Sequence, residues 1–120
     1  MLIHILKSKI HFARITESVL EYDGSITIDR DIMDKAGIYP YERVLVSNME
    51  NGNRFETYVI EGKRGSGIIC LNGAAARLGT IGDRLTIMAF SNVDENEARK
   101  IKPKIVILKE KNEIKSIIGG

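Results

Sequence analysis

Apolar and polar residues alternate with a period of two along most of the chain, the spacing that puts every second side chain of a strand on one face. Short strands are expected at Leu2–Ile10, Ser25–Ile28, Arg43–Asn48, Phe55–Glu61, Ile68–Leu71, Arg84–Phe90 and Lys104–Lys109. Most are rich in Ile, Val and Thr, whose branched side chains pack well on a pleated surface. Asn51-Gly52 lies between two of these runs and predicts a hairpin, because both residue types tolerate positive φ. Helical signals are brief. Asp29 is placed to cap a helix over Arg30–Ala36, with Gly37 where a left-handed residue ends it. A second helix is expected over Asp94–Lys100, stopped before Pro103. Neither is long enough to supply a helical core. Strands joined by tight turns predict a mainly β domain closed into a small barrel with short helices, since closure removes exposed sheet edges.

A length of 120 residues fits a single domain, and no internal repeat or linker divides it. A domain this small leaves much of its surface exposed, so self-association is a natural way to bury more. The chain carries 18 basic and 16 acidic residues, a net charge of +2, and it has no Trp, four Tyr and three Phe. That balance argues against a nucleic-acid binder, which concentrates basic charge beside aromatic stacking residues. The single cysteine, Cys70, excludes an intrachain disulfide, and the two histidines lack the further ligands a metal site needs. Met1–Lys7 is too short for a signal-peptide core, and no run approaches the ~18 apolar residues of a membrane helix. The reading is a cytoplasmic protein with no membrane partner.

The candidate chemistry lies in Glu21-Tyr22-Asp23-Gly24-Ser25. Taken alone, Gly24-Ser25 is an ordinary turn in which glycine supplies unusual backbone angles. A serine hydroxyl becomes a nucleophile only when geometry and neighbours activate it. Gly24, without a side chain, would let Ser25 approach the preceding carbonyl in a strained conformation. Attack there would turn an amide into an ester, elimination would leave dehydroalanine at position 25, and hydrolysis with loss of ammonia would leave a pyruvoyl group.

Lys9-Ile-His11, Tyr22-Asp-Gly24-Ser25, Asn51-Gly-Asn-Arg54-Phe-Glu-Thr57-Tyr58, Arg64-Gly65-Ser66 and Asn72-Gly-Ala-Ala-Ala76 resemble, in order and spacing, the signature segments of the bacterial aspartate 1-decarboxylases. The resemblance continues through Glu97-Ala98-Arg99 and Pro103 to Asn112-Glu113. It implies a double-psi β-barrel, a homotetramer with active sites between subunits, and self-cleavage into chains 1–24 and 25–120. Ser25 matches the residue converted to the covalent pyruvoyl group, with neither metal nor pyridoxal phosphate required. That group would hold L-aspartate as a Schiff base, the electron sink for loss of carbon dioxide, releasing β-alanine for pantothenate biosynthesis. Tyr58 matches the proton donor, and Thr57, Gly73, Ala74 and Ala75 match substrate contacts. Arg54 and Lys9 match the residues that recognise the substrate carboxylates, where a planar guanidinium can make two parallel hydrogen bonds and an ammonium adds a point charge. Gly24, His11, Tyr22 and Asn72 match positions that support processing. A requirement for a maturation factor is not readable from the chain.

Each residue also has a plainer reading. Arg54 and Thr57 could be outward strand residues, Tyr58 core, and Ala74-Ala75-Ala76 with Arg77 the opening of a short helix. His4 reads as structural or surface, Cys70 as a buried small hydrophobe with no role, and Lys109–Glu113 as a solvated turn of mixed charge. Two rival functions follow: a small β-barrel interaction module for protein or nucleic acid, and a pyruvoyl decarboxylase acting on another amino acid.

Overall fold

The computed structural model describes residues 1–120, and the period-two runs form strands in it. These are β1 (Leu2–Arg14), β2 (Glu17–Val19), β3 (Ser25–Asp29), β4 (Arg43–Asn48), β5 (Arg54–Gly62), β6 (Ile69–Asn72), β7 (Arg84–Asp94), β8 (Lys104–Leu108) and β9 (Ile114–Ile118). Helices α1 (Arg30–Ala36) and α2 (Glu95–Ala98) and 3₁₀ turns at Gly73–Leu78 and Glu110–Asn112 complete the chain. The strands pair in the order β2-β6-β3-β5-β4-β7-β1-β8-β9, parallel at β1/β8, β2/β6 and β3/β5 and antiparallel elsewhere. This is the mainly β, barrel-like architecture with short helices that the alternation predicts. No helix is long and apolar enough to cross a membrane.

Cross-strand rows separate the two faces. Ile10, Ile87 and Val46 are register neighbours, all fully buried, and belong to the core. One residue away, Lys9–Met88–Leu45–Glu56 and His11–Thr86–Ser47–Arg54 form parallel rows on the opposite, outer face. Past the end of β1, Thr16 N donates to Ile69 O at 2.8 Å, and Ile69 N donates back to Thr16 Oγ1 at 3.0 Å. These bonds tie the β1 side of the sheet to β6.

Four local expectations change. β1 runs on past Ile10 to Arg14 because bulges at Leu6/Ser8 and His11/Ala13 reset the alternation, with Phe12 at φ 64° in the second. β2 has three exposed residues and no alternation, and β9 follows a charged run, so neither carries a period-two signal. The Asn51-Gly52 hairpin forms with a four-residue loop: Asn48 N donates to Asn53 O at 2.8 Å, and only Gly52 of the pair takes positive φ. Lys109–Glu113 is not simply solvated. Asn112 is 3% exposed, accepts from Arg14 N at 2.8 Å, and donates to Arg14 O at 2.9 Å and Gly67 O at 2.8 Å.

The helix caps follow the sequence. Asp29 accepts from Asp31 N at 2.8 Å and Gly37 ends α1 at φ 72°, while Asp94 accepts from Glu97 N at 2.9 Å to start the shorter α2. α1 contributes Ile32, Met33 and Ala36 to the core.

Candidate active site

Ser25 opens β3, is fully buried, and lies directly opposite Asn72 in the antiparallel ladder with β6. Thr27 and Cys70, two residues along each strand, form the next pair on the same face. A chain of hydrogen bonds links all four. Asn72 Nδ2 donates to Ser25 Oγ at 3.0 Å and to Thr27 Oγ1 at 2.9 Å, and Cys70 Sγ donates to Asn72 Oδ1 at 3.2 Å. The Ser25 hydroxyl donates to Asp23 O at 3.3 Å. Asn72 occupies the N-cap position of the Gly73–Leu78 turn, where asparagine commonly caps, yet it makes no capping bond. Its side chain turns back to the two hydroxyls. Burial first, and the Glu17 carboxylate second, push the Cys70 thiol up, so it stays protonated and able to donate at neutral pH.

A pocket of about 450 Å³ is lined by Gly24, Thr57, Tyr58, Ala74 and Ala75, with Phe55, Glu56 and Leu78 completing its wall. Strand register explains the grouping. β3 pairs in parallel with β5 from Ile26↔Val59 onward, so Arg54–Tyr58 runs past the start of β3 and alongside Gly24. The 3₁₀ turn supplies the remaining side. Its Leu78 carbonyl accepts from the side chains of Asn48 at 3.2 Å, Asn51 at 3.1 Å and Asn53 at 3.2 Å, which anchors the turn to the β4–β5 hairpin. Another cavity of similar volume, bounded by His4, Arg43, Leu45, Glu56 and Phe90, contains none of the candidate residues.

The steric reason for glycine lies at position 73 rather than 24. A Cβ on Gly24 would meet nothing within 4 Å, and Gly24 is not among the residues at positive φ. Gly73 sits at φ +67°, and a Cβ there would stand 2.7 Å from Tyr22 O and 2.8 Å from both Gly24 N and Gly24 Cα. The backbone of the Tyr22–Gly24 loop therefore rests on Gly73. Tyr22 itself is exposed and lines no part of the pocket.

Lys9, His11 and Arg54 lie elsewhere, on the outer rows of the sheet. Lys9 is three strand spacings, about 14 Å, from Glu56, and Tyr58 lies two residues farther along β5. Arg54 is four residues, about 13 Å, from Tyr58 on the same strand face. Thr57 points to the opposite side, opposite buried Val44. Burial, with the Lys9 charge as the second cause, holds the His11 imidazole below its ordinary value. Its Nδ1 lies 3.3 Å from Thr86 Oγ1.

Sequence reasoning did not single out Thr27 and read Cys70 as a buried small hydrophobe with no role. Their signal was the i+2 spacing from Ser25 and the i−2 spacing from Asn72, which puts each on the same strand face as a residue already singled out.

The family model for aspartate decarboxylase matches residues 1–115. Among curated relatives, the aspartate 1-decarboxylase of Caldicellulosiruptor saccharolyticus is 56% identical over 114 residues, covering 95% of this chain and 89% of its own. That of Chloroherpeton thalassium is 54% identical over 117 residues, covering 98% and 86%, and that of Clostridium botulinum is 51% identical over 117 residues, covering 98% and 92%. A match of that extent, on a chain whose Ser25, Asn72 and Thr57–Tyr58 segments converge beside one pocket, places this protein in the aspartate decarboxylase family.

Proposed function

We propose that the chain cleaves itself between Gly24 and Ser25 and that the product is a cytoplasmic pyruvoyl enzyme decarboxylating L-aspartate to β-alanine and carbon dioxide, a step that feeds pantothenate synthesis. The observation that carries this reading is the buried Ser25 hydroxyl, held by Asn72 at 3.0 Å with a pocket at the adjacent Gly24. In cleavage, Ser25 Oγ adds to the Gly24 carbonyl carbon, the C–N bond breaks, and the Ser25 nitrogen takes up a proton. The resulting ester loses the Ser25 α-proton and its Cβ–O bond, so that Gly24 departs as a carboxylate. Water then replaces the nitrogen at position 25, which leaves as ammonia.

A pyruvoyl group held at position 25 would supply a ketone able to bind an amine and to act as an electron sink for loss of a carboxylate. The residues present fit such a group. Position 25 is buried at the head of a strand, with an amide donor beside it and a small-residue turn across the pocket. Tyr58, 36% exposed at that pocket, is the proton donor to the former α-carbon, and Thr57 with the backbone of Gly73–Ala75 holds the substrate.

Arg54 and Lys9 recognise the carboxylates from a neighbouring copy of the chain. Within one chain neither Arg54 nor Lys9 lines the pocket that holds Gly24, Thr57 and Tyr58. The outer face that carries them also exposes half-buried Leu45, Met88 and Phe90, a surface suited to contact between copies in a homotetramer.

The test is intact-mass analysis of the purified chain after warm incubation, together with an assay for β-alanine. The expected products are residues 1–24 and a blocked chain 25–120 that converts aspartate. Protein that remains full length and makes no β-alanine overturns the reading. Tyr58→Phe should still cleave but turn over about a hundredfold more slowly.

A further inference from the structure

We infer that Cys70 is a positioning residue for self-cleavage: its thiol, donating to Asn72 Oδ1, selects the amide orientation that presents Nδ2 to Ser25 Oγ and Thr27 Oγ1. This rests on the self-cleavage proposed above.

An asparagine amide has two orientations of nearly the same shape, exchanging an acceptor for a donor. The hydroxyls of Ser25 and Thr27 do not choose between them, since each can accept from Nδ2 or donate to Oδ1. The third neighbour chooses. Cys70 Sγ lies 3.2 Å from the far end of the amide, and a protonated thiol is a donor and only a weak acceptor. Oδ1 facing the thiol is therefore the orientation in which all three contacts pair a donor with an acceptor. The reverse would leave an N–H of Asn72 against sulfur in a buried site, where a poorly satisfied polar group is costly.

The choice reaches Ser25. With Nδ2 donating to it at 3.0 Å, the Ser25 hydroxyl directs its own proton elsewhere, and its acceptor is Asp23 O at 3.3 Å. The nucleophile is then bonded to the segment that carries the scissile peptide. With the amide reversed, Ser25 would donate to Asn72 and release Asp23. Cys70 touches no reacting atom; its effect passes through Asn72.

The experiment measures the first-order rate of chain cleavage by intact mass, before any decarboxylation, for wild type, Cys70→Ala and Cys70→Ser. Folding is checked by circular dichroism. Cys70→Ala is expected to cleave about tenfold more slowly. Cys70→Ser restores a donor and should stay within about twofold of wild type. Equal rates for wild type and Cys70→Ala would overturn the role of Cys70 while leaving self-cleavage standing. Equal slowing in the alanine and serine variants would overturn it too, since packing alone would then explain the loss. Should the alanine variant fail to fold, Cys70→Thr against Cys70→Val repeats the comparison at matched volume, and a threonine variant no faster than valine overturns the inference. A wild-type chain that stays whole overturns the self-cleavage reading and this inference with it.

Discussion

Two groups of candidate residues are built in opposite ways. Ser25, Thr27, Cys70 and Asn72 are held by the pairing of β3 with β6, with their polar groups joined in one hydrogen-bonded chain. Lys9, His11 and Arg54 spread across the outer face of β1, β7, β4 and β5, connected by register but not gathered around a pocket. The first group has the fixed geometry that a reaction of the backbone on itself demands, because near-attack placement is where such a reaction gains most. In the second, Arg54 is a long side chain on an exposed position, where a charge avoids the desolvation cost of burial until a ligand arrives to pair with it, whereas half-buried His11 already bears that cost. One chain thus holds all four residues of the proposed processing site, whereas the proposed substrate clamp would be shared between copies.

The largest expected effect tests the first group at its centre. Ser25→Ala removes the nucleophile and should abolish cleavage, leaving only full-length chain by intact mass after prolonged warming. The fold should survive, since Asn72 Nδ2 keeps its bond to Thr27 Oγ1, with stability lowered by about 1–2 kcal/mol in denaturant titration. Detection of the 1–24 fragment would exclude Ser25 as nucleophile.

Next come the two glycines. Gly73→Ala drives a methyl into Tyr22 O and Gly24 from a backbone at φ +67°, and should cost about 1–3 kcal/mol and slow cleavage more than tenfold. Gly24→Ala places its methyl in open space and should leave the unfolding midpoint close to wild type. Equal destabilisation by both would show that the loop does not rest on Gly73.

The substrate clamp is tested by separating processing from turnover. Arg54→Ala should cleave at the wild-type rate but lose about ten- to a hundredfold in kcat/KM for aspartate, the range for a lost charge-assisted hydrogen bond. Unfolding and refolding Arg54→Ala together with Tyr58→Phe should then recover activity above either protein alone, because some mixed sites would combine an intact Arg54 from one copy with an intact Tyr58 from another. No gain on mixing would place both residues in a site made by one chain.

Much of this arrangement was legible in the chain, and the parts that were not share a cause. Alternation located the strands that form the core, and Asp29 and Gly37 bounded α1 because capping is local chemistry. Bulges, parallel register and a buried asparagine are not local. Nothing near Phe12 announces that β1 continues to Arg14, and nothing in a charged run marks Asn112 as the group joining Arg14 to Gly67. At the site, family resemblance singled out Ser25, Asn72, Thr57 and Tyr58, whereas the steric burden attributed to Gly24 proved to belong to Gly73, 49 positions away in sequence and in contact only after β3 pairs with β6.

The smallest effect sharpens the contrast from the outer face. Burial first and the Lys9 charge second depress the His11 pKa below the usual value near 6.5. In the pH window just below 6.5 the unfolded chain therefore binds a proton on this ring that the folded chain does not, so stability rises with pH across that window. The His11 contribution is fully present above 6.5 and is lost as pH falls through the folded value. An NMR titration of the His11 ring should give a midpoint under 6.5, and Lys9→Met should raise it only part of the way, because burial is the larger cause. A full return in Lys9→Met would make charge, not burial, the controlling feature of this face. The same titration reads assembly. A second copy seated on the outer face, as proposed for the carboxylate clamp, would deepen the burial of His11, so dilution below the association range should move the midpoint upward, whereas the buried Asn72–Ser25 hydrogen bond of the uncleaved chain should not respond to concentration.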